Sequence, residues 1–169
     1  MAELEGSNPA HPGVSVRPAS RADYPRWLEL WAGYNEFYGR VGPTALAQKI
    51  TDQTWERFFD SYEPMHAWVA EIDGQVEGLV HALYHRNTIT IAPSCYLQDL
   101  FTSPAARGKG VGRALIQAVY DHARAAGCAR VYWHTHETNH TAMRLYNQVA
   151  ERSGFIVYRH DPLPATETR

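Results

Sequence analysis

The chain has 169 residues, of which 44% are hydrophobic, 20% charged and 12% aromatic, an ordinary globular mixture that excludes a disordered or collagen-like chain. At this length folding buries roughly 68–70% of the unfolded surface, so the core needs no disulfide or metal staple. Sixteen Lys and Arg against eighteen Asp and Glu give a net charge of −2, without the broad basic field of a nucleic-acid binder.

No apolar stretch approaches the ~20 residues that span a bilayer, and the N-terminal MAELEGSNPAHPG has no apolar signal core. Cys95 and Cys128 form neither a metal spacing nor a small disulfide framework, so a reducing cytoplasm is the expected home. Residues 1–13 read as a mobile leader and the end from Asp161 as a tail, leaving one expected domain over 14–160.

In chain order, Val14–Arg17 reads as a short strand. Ser20 is placed to cap a helix carrying Trp27, Leu28, Trp31, Tyr34 and Tyr38 at helical spacing. A second helix is predicted from about Thr44 to Phe59. His66–Ile72 and Gln75–Tyr84 are predicted strands joined by Asp73-Gly74, a strong signal for a two-residue hairpin. Cys95–Thr102 is a third central strand, stopped by Ser103-Pro104. Arg107–Ala126 reads as a helix with Val111, Ala114, Leu115, Ala118 and Val119 on one face, ended by Gly127. A strand over Arg130–His136, a helix over Asn139–Ser153 and a closing strand over Phe155–His160 complete a mixed α/β domain.

The most informative segment is CYLQDLFTSPAARGKGVGRAL, where a strand, a Pro-marked turn and Arg107-Gly108-Lys109-Gly110-Val111-Gly112 lead into a helix. Alternating glycines let backbone N–H groups approach a ligand, at a helix start whose first donors are unpaired and whose dipole favours an anion. Arg107 and Lys109 oppose that dipole unless a phosphate lies between them. A P-loop would need Ser or Thr after Lys109, where Gly110 stands. A Rossmann turn would need glycine at Arg113.

R-G-K-G-V-G is the Arg-x-x-Gly-x-Gly pattern of the GNAT superfamily of acyl-CoA-dependent N-acetyltransferases. Asn139, Ala142, Leu145 and Tyr146 match its N-x-x-A-x-x-L-Y pattern. From about His66 to Tyr158 the chain resembles this family, in particular the branch of histone/polyamine and D-amino-acid acetyltransferases, and is similar to diamine acetyltransferases. The resemblance implies a mainly antiparallel sheet flanked by helices, with a splayed strand pair that binds CoA. It implies that Leu100, Phe101 and Thr102 pair with pantetheine, that Arg107 through Gly112 hold the pyrophosphate with Arg113 nearby, and that Asn139 bonds the pantetheine arm. It makes Tyr146 the acid for the departing thiolate. Asn139 and Tyr146 lie seven residues apart and project from one helix face, and a phenol of ordinary pKa near 10 suits a thiolate. As a plain side chain, Tyr146 would equally continue the apolar stripe of Ala142, Leu145 and Val149.

Two departures stand out. Gly154 comes eight residues after Tyr146, four later than in many relatives, and Gln98 replaces the glutamate of polyamine enzymes. Asp99 is therefore the leading candidate to take the proton of the acceptor amine, ahead of His81, His134 and Glu137. His134, His136 and His140 spell H-x-H-x₃-H but lack a cysteine or a well-placed carboxylate, so no metal is expected. Cys95 starts a strand without a base partner and makes a poor nucleophile. The resemblance implies that the first two helices wall the acceptor site, which makes Trp31, Tyr34, Glu36 and Tyr38 candidates for a wall that suits a small cation, although helical spacing also makes such residues core.

The expected activity is transfer of an acetyl group from acetyl-CoA to a primary amine, carried by a small amine, polyamine, amino acid or protein lysine. The alternative is a degenerate acyl-CoA-sensing module, with a protein-interaction domain that does not bind CoA as a more distant reading. GNAT proteins are frequently homodimers, although no residue here marks an interface.

Overall fold

The computed structural model describes residues 13–160. The predicted leader, apart from Gly13, and the tail from Asp161 lie outside the described residues. The chain divides into two units, Met1–His134 and Thr135–Arg169.

The first unit contains strands β1 (Val14–Pro18), β2 (Met65–Ile72), β3 (Gln75–His85), β4 (Ser94–Thr102) and β5 (Arg130–Tyr132). They form one sheet in the order β1-β2-β3-β4-β5, antiparallel except for the parallel β4–β5 pair. Helices α1 (Tyr24–Phe37), α2 (Gln48–Arg57) and α3 (Val111–Ala125) complete it. Asp73 and Gly74 both take positive φ, 51° and 76°, the requirement of the tight hairpin their dipeptide signals. The β2–β3 pairing then follows directly, Ile72 opposite Gln75.

Alternation along β3 separates the helices. Leu79 joins a core of Trp27, Leu30, Trp31, Tyr34, Trp55 and Val69 contributed by α1, α2 and β2. Gly78, one residue earlier and on the opposite face, lies under Val111 and Leu115 of α3. The stripe expected on α3 is oriented accordingly, with Val111, Leu115 and Val119 buried. The second unit holds α4 (His140–Val149). The helix ends at Ala150, whose backbone is extended, rather than at Ser153, and 150–160 carries no strand. The predicted closing strand at Phe155–His160 is therefore absent. A strand exists only against a neighbouring edge, and Phe155, Ile156, Val157 and Tyr158 are all exposed. Among the described residues, no helix is long and apolar enough to cross a membrane.

Candidate active site

The parallel β4–β5 ladder is three residues long, Ser94–Arg130, Cys95–Val131 and Tyr96–Tyr132. Beyond Tyr96, β4 runs on to Thr102 with no strand on that side among the described residues. Leu100, Phe101 and Thr102 are half-buried on this open edge. The strand's far end is fastened to β3, because Ser103 N donates to Glu77 O at 2.8 Å and Ser103 Oγ donates to the Glu77 carboxylate.

A 3-10 turn over Pro104–Ala106 leads into the glycine-rich segment. Gly108 and Gly110 take φ of 77° and 84°, left-handed conformations that side-chain-bearing residues rarely adopt. Those two residues delay the helix from the predicted Arg107 to Val111. The first bond into α3 runs from Ala114 N to Gly110 O at 3.0 Å, so the amides of Gly110, Val111 and Gly112 precede the ladder. Arg107 and Lys109 are exposed beside them, Gly112 and Arg113 are half-buried, and the first turn holds no acidic residue. Donors, positive charge and room for close approach thus coincide, as an anionic phosphate requires. A groove of about 800 Å³ adjoins this turn, lined by Phe101, Ser103, Pro104 and Arg107 together with Gly33 and Glu36 of α1.

Asp99 occupies the middle of β4, opposite His81 in the ladder. Asp99 pairs with His81 while Leu97 pairs with Ala82, so Gln98 is the extra residue of a β-bulge. Gln98 is exposed, whereas Asp99 is 7% exposed. His81 Nδ1 lies 2.9 Å from Asp99 Oδ2, and Trp27 Nε1 donates to His81 Nε2 at 2.9 Å. An indole N–H is a donor only, so His81 Nε2 must present a lone pair and the ring proton sits on Nδ1, pointing at Asp99. His81 therefore has no lone pair left for an incoming proton and is not a rival base to Asp99.

The Asp99 carboxylate acts on phenols of two elements. Burial, followed by the Asp99 charge, pushes Tyr34, Tyr38 and Tyr96 above the usual phenol range. Tyr34 of α1 stacks on Trp31, Tyr38 just past the helix end meets Tyr34 at 59°, and Arg40 lies over both phenol rings at 5.5 and 5.3 Å. Trp31 itself is buried between Trp27 and Tyr34. Glu36 does not share their face: two residues along a helix turn it about 200° from Tyr34, toward the groove beside Arg107. The structure thus gathers Tyr34 and Tyr38 near Asp99 and leaves Glu36 apart. His134 Nδ1 pairs with Tyr96 Oη at 3.2 Å. Cys95 is wholly buried and its thiol is pushed up to about 12 by burial and then by Cys128, so it stays protonated.

In the second unit, Asn139 is the N-cap of α4. Its Oδ1 accepts from Ala142 N at 3.4 Å and its Nδ2 donates to Thr135 Oγ1 at 3.2 Å. Half-buried Tyr146 follows two turns later on the same helix face. His136 Nδ1 is engaged by Thr138 Oγ1 at 2.8 Å, and Glu137 is exposed. Among the described residues, no three His, Cys, Asp or Glu side chains group as metal ligands.

Sequence reasoning missed Tyr96 and the partnership of Trp27 with His81. A signal for the latter existed: His81 interrupts the apolar run of β3, and a buried imidazole needs hydrogen-bond partners.

Comparison with known proteins adds four findings. A profile described as the acetyltransferase (GNAT) family matches residues 26–150. A D-amino-acid N-acetyltransferase of Saccharomyces cerevisiae is 31% identical over 95% of this chain and 99% of its own length. Among solved structures, an aminoglycoside acetyltransferase from an uncultured soil metagenomic sample, in complex with sisomicin, superposes with a TM-score of 0.73 at 14% identity. That match covers 90% of this chain and 97% of the other. An aminoglycoside N-acetyltransferase in complex with CoA gives a TM-score of 0.70 at 19% identity, over 89% of this chain and 95% of its own.

Proposed function

The chain belongs to the acetyltransferase (GNAT) family and is an N-acetyltransferase, and from that premise we propose that it transfers the acetyl group of acetyl-CoA to the primary amine of a small molecule. The observation that carries this reading is the junction of the open β4 edge with the glycine turn, the segment to which the family resemblance assigns CoA.

The residues fit that co-substrate. The amides of Gly110, Val111 and Gly112, with Arg107 and Lys109, would hold the pyrophosphate, and the free edge at Leu100–Thr102 would accept the pantetheine amides. When bound, acetyl-CoA supplies the acetyl thioester. An alkylammonium with pKa near 10.4 must first lose a proton, which at pH 7 costs roughly 4–5 kcal/mol. Asp99 would take it, directly or through a water, on a carboxylate whose Oδ2 is engaged by His81 and which also bonds the Tyr34 hydroxyl. Tyr34 and Tyr38 border that carboxylate, their rings already under the Arg40 guanidinium. Tyr146 would deliver a proton to the departing thiolate, a role it takes from its position in the family motif. A small-molecule acceptor accords with the D-amino acid and the aminoglycoside named for the yeast and soil relatives.

The deciding experiment follows thiol release from acetyl-CoA over a panel of amino acids, polyamines, aminoglycosides and a lysine peptide, with product masses measured. One class should be acetylated with mass gain at nitrogen. CoA binding without turnover on any amine would overturn the reading in favour of a sensing module.

A further inference from the structure

We infer that His81, held by Trp27, is a positioning residue that fixes the Asp99 carboxylate for proton transfer. The inference rests on the reading of Asp99 as the proton acceptor. Three side chains from three elements form one chain of donors: Trp27 Nε1–H of α1 to His81 Nε2 of β3, and His81 Nδ1–H to Asp99 Oδ2 of β4, each at 2.9 Å. Trp27 is 0% exposed and His81 1%, so water does not compete for either bond.

The direction of the chain is set by chemistry. Indole has a proton to give and no lone pair in the ring plane, so His81 is confined to the Nδ1–H tautomer. A doubly protonated His81 would set two N–H groups against each other at 2.9 Å in a dry site. His81 consequently relays no proton away from Asp99. It donates one hydrogen bond to Oδ2 and, with the Tyr34 hydroxyl that also bonds this carboxylate, fixes its orientation.

Packing locks the imidazole in this pose. Its ring lies 6.0 Å from Trp27, 5.4 Å from Trp31 and 4.5 Å from Phe58 between centroids. The bulge at Gln98 completes the arrangement, because it brings Asp99 opposite His81 while the next pair of the ladder is Leu97 with Ala82. A core hydrogen bond made for stability alone would account for the burial. It would not account for a bulge that places the donor's partner on the strand edge leading to the glycine turn.

Two substitutions separate the roles. The amide nitrogen of Asn falls near the Nδ1 position, so His81→Asn keeps a donor for Asp99. The Gln amide reaches the Nε2 position, so His81→Gln keeps a partner for Trp27 and loses the donor. His81→Gln should lower kcat roughly 10–100-fold with acetyl-CoA KM unchanged, and His81→Asn should restore it to within about threefold. Equal kcat in both variants, whatever their melting temperatures, would overturn the inference. Should neither variant fold, ring-¹⁵N NMR of the wild-type protein at pH 7 decides: the Nδ1–H tautomer is expected, and an Nε2–H or imidazolium signature overturns it. Asp99→Asn distinguishes the two readings. If that variant keeps full kcat, the base assignment fails; if it loses kcat while His81→Gln does not, only the positioning role fails.

Discussion

At the scale of single residues, charge and hydroxyl groups carry the separable effects. Asp23 is 8% exposed and receives a two-pronged bond from Arg17, at 2.7 and 2.8 Å, and further bonds from Ser20 N and Oγ. The Arg17 guanidinium, helped by Ser20 and opposed by burial, holds its carboxyl down to about 2 against an ordinary 3.8. A depressed carboxyl stabilises the fold above its unfolded pKa and loses that stabilisation as pH falls through the folded one. The contribution is roughly 2 kcal/mol at pH 7 and under about 0.5 kcal/mol near pH 2. Urea unfolding of wild type and Asp23→Asn should show a gap at pH 7 that closes by pH 2; an equal gap at both would refute the ion pair's role. Tyr146→Phe removes one hydroxyl and keeps the ring, so melting temperature should change little. If Tyr146 is the proposed acid for the thiolate, kcat should fall roughly 10²–10⁴-fold with acetyl-CoA affinity near normal. A variant within a few-fold of wild type would return Tyr146 to the apolar stripe.

At the scale of elements, the position of α3 decides whether the glycine turn can reach a ligand, and Gly78 sets that position. A Cβ there would lie 2.5 Å from Val111 Cγ1 and 3.0 Å from both Leu115 Cδ1 and the Phe101 carbonyl oxygen. The side chains can yield, but the carbonyl belongs to β4 and cannot. Gly78→Ala should therefore cost about 1–3 kcal/mol in urea unfolding and weaken CoA binding as the helix start is displaced. Unchanged stability and affinity would show that α3 has slack. The same elements show what local pattern can reveal. Asp73-Gly74, the α1 aromatic stripe and the buried face of α3 are legible because each depends on residues close in sequence. The glycine turn is legible as a motif, yet its helix starts four residues late because the φ values of Gly108 and Gly110 are not written in periodicity. The Asp99–His81 bond depends on a register eighteen residues apart and on a bulge at Gln98, which no alternation pattern shows. The segment at Phe155 has strand-forming residues, but strand formation also requires a partner edge.

At the scale of the whole molecule, a net charge of −2 gives no general attraction for a polyanion, so the proposed CoA binding would rest on the local array at Arg107–Gly112. Binding confined to the folded state is then visible in global stability. At a CoA concentration of 100 Kd the folded state gains about 2.7 kcal/mol, which for a chain of this length raises Tm by roughly 5–10 °C. Gly110→Asp places a carboxylate where the pyrophosphate is expected and a side chain where φ is 84°, so its affinity should drop at least about tenfold. At the same CoA concentration a tenfold loss halves the gain to about 1.4 kcal/mol, and a hundredfold loss reduces it to about 0.4 kcal/mol. The quantity to compare is the CoA-induced rise and not Tm itself, because the substitution also strains the turn and lowers the starting point. A rise of half or less in Gly110→Asp, with the full rise in wild type, places the anion on this turn. The same rise in both proteins would move CoA elsewhere on the molecule, and no rise in wild type at millimolar CoA would remove the binding on which the proposed transfer depends.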